Sequence, residues 1–188
     1  MKQNVVEWLV YLLQLGTIDL CYNSGTVTGS GNFIGGIVGS GQSASKITMC
    51  NNSGKVTGKY NVGGICGCMP TSSGVNNSIL EKSYNSGDIE GVQAVGGLVG
   101  SVTVGSSSVT VLDCYNKGKM VGTTNTGEII GNLFRSEGAE ITINKLFYLK
   151  NTSGLTAIGG EEDNATNKIM GVTDNLSYEQ FKTWITSQ

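Results

Sequence analysis

The sequence predicts an all-β fold, a parallel β-solenoid of about four to five coils closed by a helix at each end, and three observations predict it. The first is a pattern that occurs four times: Cys21-Tyr22-Asn23-Ser24-Gly25, Cys50-Asn51-Asn52-Ser53-Gly54, Ser83-Tyr84-Asn85-Ser86-Gly87 and Cys114-Tyr115-Asn116-Lys117-Gly118. Each copy is followed by a short β-branched or apolar step and then by a glycine-rich strand: Gly35–Gly39, Gly63–Gly67, Gly96–Gly100 and Gly127–Gly131. The copies start 29, 33 and 31 residues apart, a period that belongs to stacked repeat arrays. The second observation is 29 glycines against a single proline in 188 residues, many tight turns without collagen-like or linker composition. The third is the set of short Val- and Ile-rich runs between those turns, which favour strands.

Three segments follow from these signals. Residues 1–16 read as an amino-terminal capping helix over Asn4–Leu15, with Asn4 as N-cap, Glu7 three residues on, and Gly16 at the stop. Residues 17–145 hold the solenoid repeats. Each repeat reads as strand, Asn-x-Gly turn, short strand, glycine, and the apolar Gly-Gly-Ile-Val-Gly strand. A further strand lies in the variable segment, at Lys46–Met49, Ser78–Leu80 and Ser108–Leu112. Residues 146–188 form a terminal coil and a carboxy-terminal helix opening at Ser177-Tyr178-Glu179-Gln180, with Phe181, Trp184 and Ile185 on one face.

Repeat positions carry specific expectations. One coil cannot bury its apolar face alone, so the coils must stack, rising about 20–25 Å at the ~4.8 Å strand spacing. Asn23, Asn52, Asn85 and Asn116 are placed to stack and hydrogen-bond from coil to coil. The Asn-x-Gly element suits a turn with left-handed backbone geometry. Gly36, Gly64 and Gly97 mark a corner where a Cβ would meet the neighbouring coil. In the fourth copy Glu128 stands at that place and Thr126 replaces the preceding Val, so this coil is expected to distort. Within Ile34–Gly39 both alternate sets of side chains are apolar, which leaves the inward face open.

Five cysteines cannot all pair within the chain. Cys21, Cys50 and Cys114 share one repeat position with Ser83, and stacked side chains at that spacing run side by side rather than toward one another. They are read as small inward-facing fillers. Cys66 and Cys68 point the same way along one strand and are poorly placed to bridge. Val5–Leu15 is interrupted by Glu7 and too short to span a bilayer, so no export signal or membrane insertion is read in this segment. A secreted parent protein without its leader would look the same.

Charge and chemistry narrow the function. A net charge of −2 with 14% charged residues gives no electrostatic footprint for nucleic acid. Histidine is absent, which removes HExxH metal sites and Ser/His or Cys/His nucleophile pairs. No phosphate-binding loop, catalytic residue, cofactor site or metal site is assigned. Asp88 and Glu90 share a strand, but Thr26 with Thr28, Lys55 with Thr57 and Lys119 with Val121 stand at the same positions, as on a solvated face. Glu161-Glu162-Asp163 is the densest acidic run, a solvent-exposed loop or a calcium-binding one. Tyr22, Tyr84 and Tyr115 are turned outward by strand alternation and give the one repeating surface candidate. They either form a stacking platform for sugar rings or a protein partner, or pack against the variable loops.

Gly35–Gly39 and Gly96–Gly100, following Cys-Tyr-Asn-x-Gly elements, resemble the GLUG motif of repeat proteins from Gram-positive and gut bacteria. The resemblance covers Ile18 to Gly131, and the tail from Phe147-Tyr148-Leu149 to Phe181-Lys182-Thr183-Trp184 looks like the segment that closes such arrays. It implies a right-handed β-solenoid within a secreted or wall-attached protein, adhesin-like in some members and beside an immunoglobulin-A-specific metallopeptidase in others. The expected function is a non-enzymatic extracellular structural or adhesive module, with host or microbial glycan or surface protein as partner. A carbohydrate-active β-helix enzyme, lyase or glycosidase, is the alternative.

Overall fold

The computed structural model describes residues 11–12, 16–42, 44–71, 77–105, 107–150, 153–161 and 169–187. The chain is a parallel β-solenoid of four full coils with an incomplete turn beyond them. β1 (Tyr11–Leu12) precedes the first coil. Coil one holds β2 (Thr17–Asp19), β3 (Tyr22–Asn23), β4 (Val27–Thr28), β5 (Asn32–Gly35) and β6 (Val38–Gly41). Coil two repeats them as β7 (Lys46–Thr48), β8 (Asn51–Asn52), β9 (Val56–Thr57), β10 (Tyr60–Gly63) and β11 (Cys66–Thr71). Coil three has β12 (Asn77–Glu81), β13 (Tyr84–Asn85), β14 (Ile89–Glu90), β15 (Gln93–Gly96) and β16 (Val99–Val104). In coil four the first two strands merge into β17 (Ser108–Asn116), before β18 (Met120–Val121), β19 (Thr124–Gly127) and β20 (Ile130–Arg135). β21 (Glu140–Leu149), β22 (Ile158–Glu161), β23 (Ile169–Val172) and helix α1 (Tyr178–Ile185) complete the chain.

Equivalent strands stack into four sheets, each paired parallel and in register, as in Val27↔Val56 and Ile89↔Val56 or Cys66↔Val38 and Cys66↔Val99. Two cores result. The larger lies between the β6–β11–β16–β20 sheet and the β7–β12–β17–β21 sheet, filled by Val38, Ile47, Met69, Leu80, Val102, Val111 and Leu133. The smaller lies between the two four-stranded sheets and holds Val56, Val62, Ile89, Val95 and Met120. This resolves the parity of the glycine-rich strands: Val62 and Val95 enter the small core, whereas Ile65 and Leu98, beyond the corner, enter the large one.

The five-residue glycine motif encodes three separate close approaches. A Cβ on Gly63 would strike the Cys66 carbonyl, one on Gly64 the Gly97 carbonyl and Asn85, and one on Gly67 the backbone of Phe33 and Ile34 in the facing strand. The Asn-x-Gly glycines are explained differently from the expectation. None of Gly25, Gly54, Gly87 and Gly118 has a positive φ. Gly54, Gly87 and Gly118 are required because a Cβ would meet the preceding coil's glycine carbonyl. Left-handed geometry sits instead on non-glycine residues: Leu20, Met49, Lys82, Asp113 and Lys145 at one corner, and Phe33, Asn61, Ala94 and Asn125 within β5, β10, β15 and β19, with φ between 48° and 63°.

Two further expectations change at the ends. Residues 4–10 and 13–15 of the proposed amino-terminal helix lie outside the described residues. Tyr11–Leu12, within its span, form a strand paired with Ser40 and Gly41, so the helix does not extend over them. Coil four is not distorted by Glu128, since Thr126↔Val95, Gly127↔Gly96 and Ile130↔Val99 keep the register. The doublet glycine is needed where the next coil sets both a carbonyl and an asparagine against it, whereas at residue 128 the Thr156 carbonyl accepts the Glu128 amide. The fifth coil has Tyr148 opposite Asn116, its ring against Gly171, so a side chain at residue 128 meets no amide.

Candidate functional site

The tyrosine row does face outward from the coils, but it is not a free platform. Tyr84 and Tyr115 stack with ring centroids 5.5 Å apart at 15°, and both are covered, at 2% and 0% exposure. The carboxy-terminal segment lies over them. Tyr84 donates its hydroxyl to the Leu176 carbonyl and Tyr115 to that of Asp174, each at 2.6 Å. Phe181 packs on both rings, and Trp184 meets Phe147 edge-on at 4.6 Å. Tyr178 reaches the Met49 carbonyl of coil two at 3.0 Å. Helix α1 is therefore a clamp along the flank of coils two to five rather than a lid on the end of the stack. Its Ser177–Gln180 capping box forms as expected.

Only Tyr22 of the row stays open, at 63% exposure, with its hydroxyl 2.9 Å from Ser53 Oγ. Asn51, between Tyr22 and Tyr84 in the column, is buried. The amphipathic stripe of α1 was legible in the sequence. That it seats on the tyrosines depends on the tertiary return of the chain, for which no local signal exists.

The asparagine ladder forms in full. Asn23 Nδ2 donates to Asn52 Oδ1, Asn52 to Asn85 and Asn85 to Asn116, each at 2.8 Å. Each amide also donates to the glycine carbonyl two residues on, and the glycines of coils one, three and four return an N–H. Asn116 ends the ladder on the Glu128 carbonyl at 2.9 Å. From Asn52 to Asn116 these are buried, paired amides with a structural task, and Asn23 is part-buried.

The cysteine column behaves similarly. Cys50, Ser83 and Cys114 are buried, and each donates its thiol or hydroxyl to the carbonyl two residues earlier. The Cys50 amide donates to Ser83 Oγ, and the Ser83 amide to Cys114 Sγ. Serine can replace cysteine here because both supply one donor and one acceptor in a small volume. Cys21 departs from the filler reading: it is exposed, because no described strand lies on the outer side of coil one at that position. All five thiols are free. Burial pushes Cys50 up to about 11 and Cys66 and Cys68 up to about 12, and raises Cys114 as well. These are inert thiols rather than nucleophiles.

The carboxylates are engaged between coils. Glu90 pairs with Lys55 at 2.7 Å, and Asp88 Oδ1 accepts the Lys119 amide at 3.1 Å, all on an exposed face. The Glu90 partner raises the Lys55 pKa. Glu128 is buried and accepts from Ser153 Oγ at 2.6 Å. In the acidic run, Glu161 ends β22, while Glu162 and Asp163 lie outside the described residues. Among the described residues no group of three or more cysteines and carboxylates could hold a metal ion, and no helix is long and apolar enough to cross a membrane. Comparison with known proteins found no matching family model, curated protein or solved structure.

Proposed function

We propose that this chain is a non-enzymatic, shape-persistent β-solenoid module of a bacterial surface or secreted protein, of the GLUG-repeat kind. The observation that carries this reading is where its polar chemistry is spent. The asparagine column runs as a chain of side-chain amide hydrogen bonds through all four coils, buried from coil two onward, the Cys/Ser column bonds coil to coil, and the Asp88–Glu90 face is tied to Lys55 and the Lys119 amide. Such a stack holds its length and presents whatever it carries at a fixed distance. Contact with glycan or surface protein falls to exposed coil faces, since Tyr84 and Tyr115 are occupied by α1.

The test combines binding and turnover on the folded protein. Glycan and host-protein arrays are probed with the wild type and Tyr22→Ala, and microbial and host polysaccharides are assayed for cleavage. The module reading expects no cleavage, and binding, where present, that survives Asp88→Asn and Glu90→Gln. Cleavage abolished by either acid substitution would establish a carbohydrate-active enzyme instead.

A further inference from the structure

The two ends of the solenoid are unlike. At the carboxy-terminal end the segment after β21 crosses coil four: the Thr156 and Ala157 carbonyls accept the Glu128 and Ile129 amides, and Leu155 packs against the small core. That end also carries charge among its described residues, at Arg135, Glu137, Glu140, Lys145, Lys150 and Asp174. Charges of this kind keep a sheet edge from pairing with other chains.

At the opposite end β1 pairs only with β6, and among the described residues no strand pairs the outer side of β2 to β5. β2, β3, β4 and β5 are the outermost described strands of their sheets. In later coils the amides of Asn51, Tyr84 and Tyr115 donate back to the preceding coil, as do those of Ser53, Ser86 and Lys117. By the same register the Tyr22 and Ser24 amides look away from the stack, as do the Thr26 and Thr28 carbonyls, whose equivalents on Lys55 and Thr57 are taken by Val27 and Gly29. Between residues 16 and 45 the only charged residue is Asp19. Coil three, by contrast, carries Glu81, Lys82, Asp88 and Glu90, and coil four Asp113, Lys117 and Lys119. Leu20 and Tyr22, at 69% and 63%, are the most exposed large apolar side chains among the described residues.

We propose that two copies of this chain pair head to head through the open edge of coil one, β2 to β5, about a two-fold axis. Antiparallel pairing lets the outward amides of one copy meet the outward carbonyls of the other. An uncharged, apolar edge is compatible with its own image, where a charged one would repel it. The edge from β2 to β5 spans residues 17–35, since β1 already pairs with β6, a length close to the roughly 20–30 residues a side of an ordinary stable interface. One adhesive end per molecule gives a closed pair rather than a fibre.

The experiment is analytical ultracentrifugation of the full chain from about 0.1 to 100 µM, with hydrogen exchange at both limits. The disrupting variant is Leu20→Lys with Thr26→Lys, which installs at coil one the lysines that Lys82 and Lys119 supply at equivalent positions, so the fold has already accepted both. The control is Val121→Lys, at the far end of the stack. The expected result is a dimer whose dissociation constant rises at least about tenfold in the double variant, each charge being met twice across the two-fold. The control keeps the wild-type constant, and the Tyr22 and Ser24 amides are protected only in the dimer. A wild type monomeric at all concentrations overturns the proposal, as does assembly that grows beyond two. So does a dimer that the double variant leaves intact, or that the control disrupts equally. Amides protected in a monomer would mean that this chain's own preceding residues cover the edge.

Discussion

Asn52 donates its side-chain amide to Asn85 Oδ1 at 2.8 Å, with both residues fully buried, in the middle of a ladder that joins all four coils. Asn85 is also held by the Asn116 Oδ1, the Gly87 carbonyl and the Gly87 amide. Truncating it strands several buried groups at once, each costing about 1–3 kcal/mol. Asn85→Ala is expected to lose about 3 kcal/mol or more in urea denaturation with an unchanged slope. Asn23→Ala, at the solvated end of the same ladder, should lose about 1 kcal/mol. Equal losses at both sites would mean that the ladder is not what binds the coils.

Glycine at the turn is a matter of coil-to-coil distance, and the first coil provides the control. A Cβ on Gly25 finds only Asn23 Oδ1, at 3.6 Å, whereas one on Gly87 would meet the Gly54 carbonyl and Asn52 Nδ2. Gly25→Ala is therefore expected within about 0.5 kcal/mol of wild type, and Gly87→Ala to destabilise by about 3 kcal/mol or more through forced backbone movement. Thermal denaturation of the pair checks this. A large loss at Gly25 would restore a conformational explanation for the turn.

The solenoid, its period and the asparagine ladder were legible because identical residues recur at a spacing that only stacking explains. The strand boundaries were blurred by what sequence statistics do not reward. Leu20, Met49 and Lys82 take left-handed backbone although nothing in those residue types favours it. Each instead donates its amide to the following coil, to the Thr48, Glu81 and Leu112 carbonyls. The tyrosine row was expected to face outward, and its exposure turns on the carboxy-terminal segment, which meets Tyr84 from 92 residues on and Tyr115 from 59. The tolerance of Glu128 became explicable only once the fifth coil showed Tyr148 in place of an asparagine.

Those left-handed corners are a place to gain stability. Lys82 is exposed at φ 50°, and a left-handed residue with a Cβ costs about 1–2 kcal/mol. Lys82→Gly removes that cost while adding freedom to the unfolded chain, for a net gain of about 0.5–1 kcal/mol. A lower denaturation midpoint in the variant would show that the corner is unstrained.

The flank clamp separates from the solenoid in a testable way. Phe181 is fully buried on Tyr84 and Tyr115, and burial raises the pKa of both phenols. Phe181→Ala should cost about 3–5 kcal/mol of clamp stability. The two tyrosines should then titrate nearer their ordinary value, read by ultraviolet absorbance. The strand signal in circular dichroism should stay unchanged. Loss of that signal together with the clamp would show one cooperative unit instead.

Alkaline pH should weaken the stack through its thiols. Cys66 and Cys68 ionise near 12 in the folded chain because burial disfavours the thiolate, against an ordinary value of 9.0. The unfolded chain therefore releases these protons first, and stability falls as pH rises above 9 until the folded thiols ionise too. Below pH 8 they contribute no slope. Between pH 8 and 10.5 each should remove up to about 2 kcal/mol, measured by urea denaturation under reducing conditions. The variant Cys66→Ser with Cys68→Ser should lose that part of the slope, although it is less stable at neutral pH from burying two hydroxyls, one of them in the large core. A slope identical to wild type would mean that neither thiol is shielded from water.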